Sequence, residues 1–164
     1  MLYYIFIILF IVLVLFGTIF IVKQQSAAIV ERFGKFVSVR HSGLQIKIPI
    51  VDSVAGRLSL RIQQLDVVVE TKTKDDVFVK VKVSVQYKVI KDKVYDAFYK
   101  LDFPQDQITS YVFDVVRAEV PKMILDDVFE KKDDIAIAVK GELNEAMKNY
   151  GFDIIKTLVT DIDP

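Results

Sequence analysis

The first 22 residues of this 164-residue chain are apolar and carry no charged side chain before Lys23. Seventeen of them are Leu, Ile, Val or Phe. As an α-helix with a rise of about 1.5 Å per residue, the segment would be about 33 Å long, and the hydrocarbon core of a bilayer is about 30 Å thick. We therefore expect residues 1–22 to form a single transmembrane helix that anchors the chain.

Two other interpretations of this segment are less consistent with its residues. A secretory signal peptide has a basic start and a shorter apolar run, and neither is present here. A helix of a soluble domain would show a polar face to water, and this run is apolar all round. The segment is followed by four basic residues, Lys23, Arg32, Lys35 and Arg40, while Glu31 is the only acidic residue in the same stretch. Such a basic excess next to an apolar segment favours a cytoplasmic position for the rest of the chain.

The 142 residues from 23 to 164 carry all 44 charged side chains, 22 basic and 22 acidic. Without a basic excess the chain has no means of displacing the counterions of a nucleic acid, so we expect no nucleic-acid partner. The chain contains no cysteine. Disulfides, thiolate metal sites and cysteine nucleophiles are therefore excluded.

Residues 23–60 are rich in β-prone residues and turn signals. The segments 23–32 and 36–40 are predicted strands, separated by a turn at Phe33, Gly34 and Lys35. In residues 44–51 apolar side chains alternate up to a proline, which predicts an edge strand or a loop. An apolar edge beside the anchor could enter the headgroup layer, or it could pack on its own domain. The candidate membrane-contacting residues are Leu44, Ile46, Ile48, Pro49 and Ile50.

The rest of the chain changes from a strand period to a helical period. Residues 57–70 and 77–89 are predicted to form an antiparallel hairpin, because valines alternate with lysines over 77–89. Helices are predicted over 93–101, 105–120 and about 133–150, with a short turn at 125–129. A final strand is predicted over 152–161. This order is typical of an α+β fold, a mostly antiparallel sheet with helices on one side. A boundary near residue 90 would divide 23–164 into two subdomains.

We find no pattern of residues that predicts catalysis or cofactor binding. His41 is the only histidine and lies next to Ser42 in a predicted turn, where neighbours rarely form a catalytic pair. The acidic pairs 75–76, 126–127 and 133–134 are placed to cap helices or turns rather than to bind a metal. No glycine-rich phosphate loop is present. We therefore expect no enzyme activity, no metal and no cofactor.

Several longer stretches resemble one protein family. The chain resembles the SPFH (Band 7) superfamily of stomatins, prohibitins and flotillins, and is closest to stomatin-like proteins and to the plant hypersensitive-induced-reaction branch. The matching stretches are ERFGK at 31–35, residues 43–52, QLD at 64–66, ETKTKDDVFV at 70–79, AFYKL at 97–101, YVFDVVRAEVPK at 111–122 and LDDVFEKKDDIAIAV at 125–139. Ser42 departs from the pattern, since many members have proline there.

The resemblance implies a membrane-anchored scaffold that oligomerises and organises membrane microdomains, with membrane lipids as partners. The alternative it implies is a regulatory subunit that binds a membrane protease or an ion channel. In such families a helical coiled coil follows the domain and drives assembly, and residues 23–164 stop where it would begin. We therefore expect a homo-oligomer when the coiled coil is present and a weakly associating chain without it.

Overall fold

The computed structural model describes all residues from Met1 to Pro164, and the chain forms two compact units. The first unit is Met1–Arg61 and the second is Ile62–Pro164. The sequence suggested a boundary near residue 90. The division lies earlier because the helices that follow residue 90 pack on the same sheet as the strands that precede it.

The first unit contains one helix and a three-stranded antiparallel sheet. Helix α1 covers Leu2–Thr18 and runs directly into β1, Ile19–Arg32. Strand β2, Lys35–Ile46, and strand β3, Asp52–Ser59, pair on either side of β1. Phe33 and Gly34 both have positive φ, 51° and 80°, as the two-residue turn of a hairpin requires. The predicted turn between two strands is confirmed.

The N-terminal helix is shorter than the sequence predicted. It ends at Thr18, and residues 19–22 are extended and paired with residues 43–46. The backbone groups of residues 19–22 thus find partners in a ladder instead of in a further helical turn. An uninterrupted apolar run cannot distinguish these two arrangements by its periodicity. No helix in the structure combines the length and apolar character needed to cross a membrane.

The second unit is a three-stranded antiparallel sheet with helices on one face. Its strands are β4, Gln63–Lys72, β5, Phe78–Val89, and β6, Phe152–Asp163, with β5 in the centre. The helices are α2, Val94–Tyr99, α3, Pro104–Glu119, α4, Leu125–Glu130, and α5, Lys132–Lys148. Short 3-10 turns cover Lys91–Lys93 and Val120–Lys122.

The period of two in β5 produces the core of this unit. Its odd-numbered residues from Val79 to Val89 are at most 4% exposed, while Lys80 and Lys82 face solvent. The buried stripes of α3 and α5 complete the core with fully buried Ile108, Val112, Val116, Ile135, Val139, Leu143 and Met147. The predicted α+β fold is confirmed.

Three local predictions were wrong. His41 and Ser42 lie within β2 rather than in a turn. Residues 57–70 do not form one strand, because β3 ends at Ser59 and β4 starts at Gln63 and pairs in a different sheet. The hairpin of β4 with β5 is present, with Gln63 opposite Tyr87 and Lys72 opposite Phe78. Residues 125–129 lie in helix α4 rather than in a turn. The backbone N–H of Leu125 donates to the side chain of Asp75 (3.1 Å), which satisfies one of the free N–H groups at the helix start.

Candidate membrane-contacting surface

The predicted apolar edge lies at one end of the first sheet. Leu44 and Ile46 are in the last part of β2, opposite Ile21 and Ile19 of β1. Leu44 is 66% exposed and Ile46 is 64% exposed. Strand β2 is an edge strand, as the sequence suggested. The exposed side chains of the two strands therefore form one apolar patch.

The remaining three predicted residues lie in the turn that follows β2. Ile48 is 48% exposed, Pro49 is half-buried and Ile50 is fully exposed. Ile50 has a φ of 72°, which is rare for a β-branched residue and costs about 1–3 kcal/mol. The turn thus presents an isoleucine to solvent from a strained backbone.

Helix α1 lies against this turn. The N–H of Lys47 donates to the carbonyl of Thr18 (2.8 Å), one of the free carbonyls at the helix end. A Cβ added to Gly17 would lie 3.3 Å from the Cβ of Pro49, so the helix and the turn are in close contact. No residue of α1 is buried, although almost all are apolar. An apolar groove lined by Leu15, Phe16, Ile19, Phe20 and Ile21 continues from the helix into β1.

We define the apolar surface as α1 together with six exposed side chains from β1, β2 and the following turn. Soluble proteins rarely expose apolar patches of this extent, and such patches commonly mark protein or membrane contacts. The six side chains are Ile19, Ile21, Leu44, Ile46, Ile48 and Ile50.

An ion pair holds the turn in place. Arg32 donates from Nε to Oδ1 of Asp52 (2.7 Å) and from Nη2 to Oδ2 (3.3 Å). The same Oδ2 accepts the N–H of Ile48 (2.9 Å), and the N–H of Asp52 donates to the carbonyl of Ile48 (2.9 Å). The Asp52 side chain is only 6% exposed. The hydrogen bonds from Arg32 and then from Ile48 hold the pKa of Asp52 below its ordinary value.

The sequence analysis did not predict this ion pair, which we call the Arg32–Asp52 clamp. Arg32 and Asp52 are twenty residues apart, and only the register of β1 against β3 brings them opposite each other. A signal was nevertheless present, because Glu31 and Asp52 are the only acidic residues among the first 61. An isolated carboxylate beside a proline-containing apolar segment is a candidate for fixing a turn.

The residues considered for chemistry are dispersed. The Nδ1 atom of His41 is buried without a hydrogen-bond partner, and so are Oγ of Ser38 and Nε of Arg40. Asp75 accepts hydrogen bonds from the hydroxyl of Thr73 and from the start of α4. The other two acidic pairs lie in the first turns of α4 and α5. Nowhere along the chain do three or more possible metal ligands cluster.

The fold and the apolar surface together define a class of protein: an α+β chain of two antiparallel sheets whose N-terminal unit exposes a large apolar face. Comparison with known proteins identifies the family. The sequence model described as SPFH domain / Band 7 family matches residues 20–164, and the chain belongs to this family. The resemblance seen in the sequence is confirmed.

Individual relatives agree with this assignment. Hypersensitive-induced response protein 4 of Arabidopsis thaliana is 47% identical over 144 residues, which are 87% of this chain and 49% of that protein. Human stomatin-like protein 2, mitochondrial, is 30% identical over 142 residues, 86% of this chain and 39% of that protein. The Caenorhabditis elegans stomatin-like protein stl-1 is 29% identical over 142 residues. The chain spans about half the length, or less, of the curated relatives it matches.

Proposed function

We propose that this chain is a membrane-anchored scaffold of the stomatin and prohibitin type, without enzyme activity, whose N-terminal unit is held at a bilayer by its apolar surface. The observation that supports this most is the continuity of that surface across α1, the ends of β1 and β2, and the following turn. In the proposal α1 inserts into the bilayer, and the strand ends and the turn rest in its outer layer.

The side chains beyond α1 contribute substantially to this attachment. On the scale for insertion into a membrane, Leu and Ile each contribute about −0.3 to −0.6 kcal/mol at the bilayer centre. The six exposed side chains of β1, β2 and the turn would thus contribute at most about 2–4 kcal/mol, and less at shallower depth. The Arg32–Asp52 clamp supports this role, because it fixes the turn that carries Ile48 and Ile50 before any membrane is met.

Assembly into a homo-oligomer is the second part of the proposal. A closed ring requires two different surfaces of the chain that meet side by side. In each sheet the outer strands leave a strand edge without a partner in that sheet, at β2 and β3 in the first unit and at β4 and β6 in the second. The membership of the SPFH family supports assembly on one leaflet and organisation of membrane microdomains. The basic residues after α1 support a cytoplasmic position.

A second candidate function is that of a regulatory subunit for a membrane protease or a channel. Phe103 favours it, since this residue is 75% exposed and has a φ of 51° at the start of α3. Aromatic residues, phenylalanine included, are enriched at protein contacts, and strained backbone positions cluster at functional sites. Purification of the chain from native membranes with a partner in fixed stoichiometry, lost on Phe103→Ala, would favour this candidate over a scaffold that acts alone.

The test of membrane contact uses the absence of cysteine in the natural chain, which allows labelling at one introduced site. Leu44→Cys and Ile50→Cys report on the apolar surface. Ile137→Cys is the matched control, because Ile137 is 69% exposed but lies on α5. Each variant carries an environment-sensitive fluorophore and is reconstituted into phosphatidylcholine vesicles.

We expect the labels at residues 44 and 50 to be quenched by bilayer-bound quenchers and shielded from iodide in the water. The label at residue 137 should show the reverse. If all three labels are quenched equally by iodide, the apolar surface does not touch the bilayer. If the unlabelled chain fails to float with vesicles at all, membrane attachment itself is refuted.

A further inference from the structure

The two units of the chain carry opposite net charges. Residues 1–61 contain seven Lys or Arg and two Asp or Glu, a net charge of +5. Residues 62–164 contain fifteen basic and twenty acidic residues, a net charge of −5. The neutral total conceals this asymmetry. The positive charge is concentrated in the unit that also holds the apolar surface.

Three of these positive charges line one groove of the first unit. Lys23, from β1, and Arg57 and Arg61, from β3 and the residues after it, are exposed along it with no acidic residue in the lining. None of the three forms an ion pair, whereas Arg32 of the same unit is paired with Asp52. Cations of one sign repel each other when they share a groove, and a bound anion would relieve that repulsion.

The backbone holds the two sides of this groove together. Residues 23–26 form an enlarged bulge in β1, because these four residues lie opposite Ser42 alone, between the pairs Val22–Gly43 and Ala27–His41. The hydroxyl of Ser26 donates to the carbonyl of Lys23 (2.7 Å) and closes the bulge. The N–H of Leu60 donates to the carbonyl of Gln25 (2.9 Å), which joins the bulge to the segment between Arg57 and Arg61. Bulges of this kind redirect side chains and are frequent next to binding sites.

The groove begins where the apolar surface ends. Side chains alternate along a strand, and Ile19, Ile21 and Lys23 are all exposed on β1 while Val22 is buried. At about 3.3 Å per residue, Lys23 lies about 7 Å beyond Ile21. If Ile21 contacts acyl chains, Lys23 is therefore at the level of the headgroups. Arginine guanidinium groups are well suited to phosphate, which they can bind with two parallel hydrogen bonds.

We propose that Lys23, Arg57 and Arg61 form a binding site for the phosphate-bearing headgroup of an anionic lipid, with the acyl chains of that lipid against the adjoining apolar surface. This inference rests on the proposed membrane attachment and adds a lipid preference to it. The chain would then collect anionic lipids around its N-terminal unit.

The test measures lipid preference in chains that are already in a bilayer. The full chain is reconstituted into phosphatidylcholine vesicles with a trace of spin-labelled phosphatidylglycerol or spin-labelled phosphatidylcholine. The motionally restricted fraction in the electron spin resonance spectrum gives the relative association of each lipid with the protein. One variant replaces Lys23, Arg57 and Arg61 with Gln. The control variant replaces Lys35, Lys132 and Lys140 with Gln, which removes the same charge from exposed positions without ion pairs.

Each basic residue near an anionic leaflet adds about fivefold to binding, so three give an upper limit of about 100-fold. Allowing for screening by salt, we expect phosphatidylglycerol to be preferred at least fivefold. The groove variant should lose that preference to below twofold, and the control variant should keep it. Circular dichroism and flotation of the groove variant should match those of the natural chain.

Three results would overturn the lipid site. Equal association of the two lipids with the natural chain would refute it while leaving membrane attachment intact. An equal loss in the control variant would show that only net charge acts. Abolition of the preference by 10 mM inorganic phosphate, but not by chloride of the same ionic strength, would indicate a site for a soluble anion instead.

Discussion

Gly151 provides the sharpest test of how the second unit is packed. It has a φ of +83°, which L-residues with a side chain rarely adopt. A Cβ at this position would lie 2.5 Å from the carbonyl oxygen of Lys93 and 3.1 Å from the backbone nitrogen of Ala97. The carbonyl of Gly151 also accepts the N–H of Ile90 (2.8 Å). Gly151 therefore joins the end of α5 to the segment that leads into α2, backbone to backbone.

We predict that Gly151→Ala lowers the free energy of unfolding by about 2–5 kcal/mol. The left-handed backbone costs an alanine about 1–2 kcal/mol. The contact with Lys93 is about 0.9 Å shorter than an ordinary contact of 3.4 Å, and the neighbour is backbone, which cannot rotate away. Overpacking of this kind typically adds about 1–3 kcal/mol.

The chain offers a matched control in Gly141. This glycine is exposed within α5, and a Cβ there would meet nothing within 4 Å. Gly141→Ala should stabilise the chain by about 1 kcal/mol, because alanine is the better helix former. Both variants are measured by urea unfolding of the full chain in detergent, followed by circular dichroism. If Gly151→Ala unfolds at the same urea concentration as the natural chain, the close packing described for Gly151 is refuted.

Three further predictions follow from the structure. Asp52, Asp66 and Asp75 all have a lowered pKa in the folded chain, so their contribution to the free energy of unfolding is complete above the unfolded pKa of about 4 and is lost as the pH falls further. Between pH 5 and 3 the urea midpoint should therefore fall less in Asp52→Asn than in the natural chain. Identical curves would argue against the ion pair of Arg32 with Asp52. Leu143→Ala should lower the free energy of unfolding by about 2–5 kcal/mol, because Leu143 is fully buried. Ile137→Ala, at an exposed position of the same helix, should change it by less than about 0.5 kcal/mol. Equal urea midpoints for the two variants would contradict the described core. In sealed inside-out vesicles from cells that make the chain, added protease should digest residues 62–164, and protection of that segment would place the domain on the opposite side.

Pattern reasoning recovered the second unit better than the first. The alternation of valine and lysine over β5 and the helical stripes of α3 and α5 are local signals, and each is long enough to specify its element. In the first unit, Gly34 was a comparable local signal, since it marked the turn between β1 and β2. The family was also recognisable from short motifs, because a motif consists of residues that are neighbours in the sequence and can be identified without the tertiary structure. The wrong predictions at residues 57–70 and 125–129 fall where β-prone or polar residues give no distinct period.

The sequence by itself determined that the chain has an apolar N-terminal segment, an α+β domain and the motifs of the SPFH family, because composition and periodicity are properties of neighbouring residues. Only the tertiary structure decided that the first helix stops at Thr18, that Arg32 meets Asp52, and that Lys23 shares a groove with Arg57 and Arg61. Each of these depends on the register between strands distant in the chain. The register of a strand pair rests on which faces of both strands are buried and on the turns that join them, and a single segment of sequence does not show its partner's face.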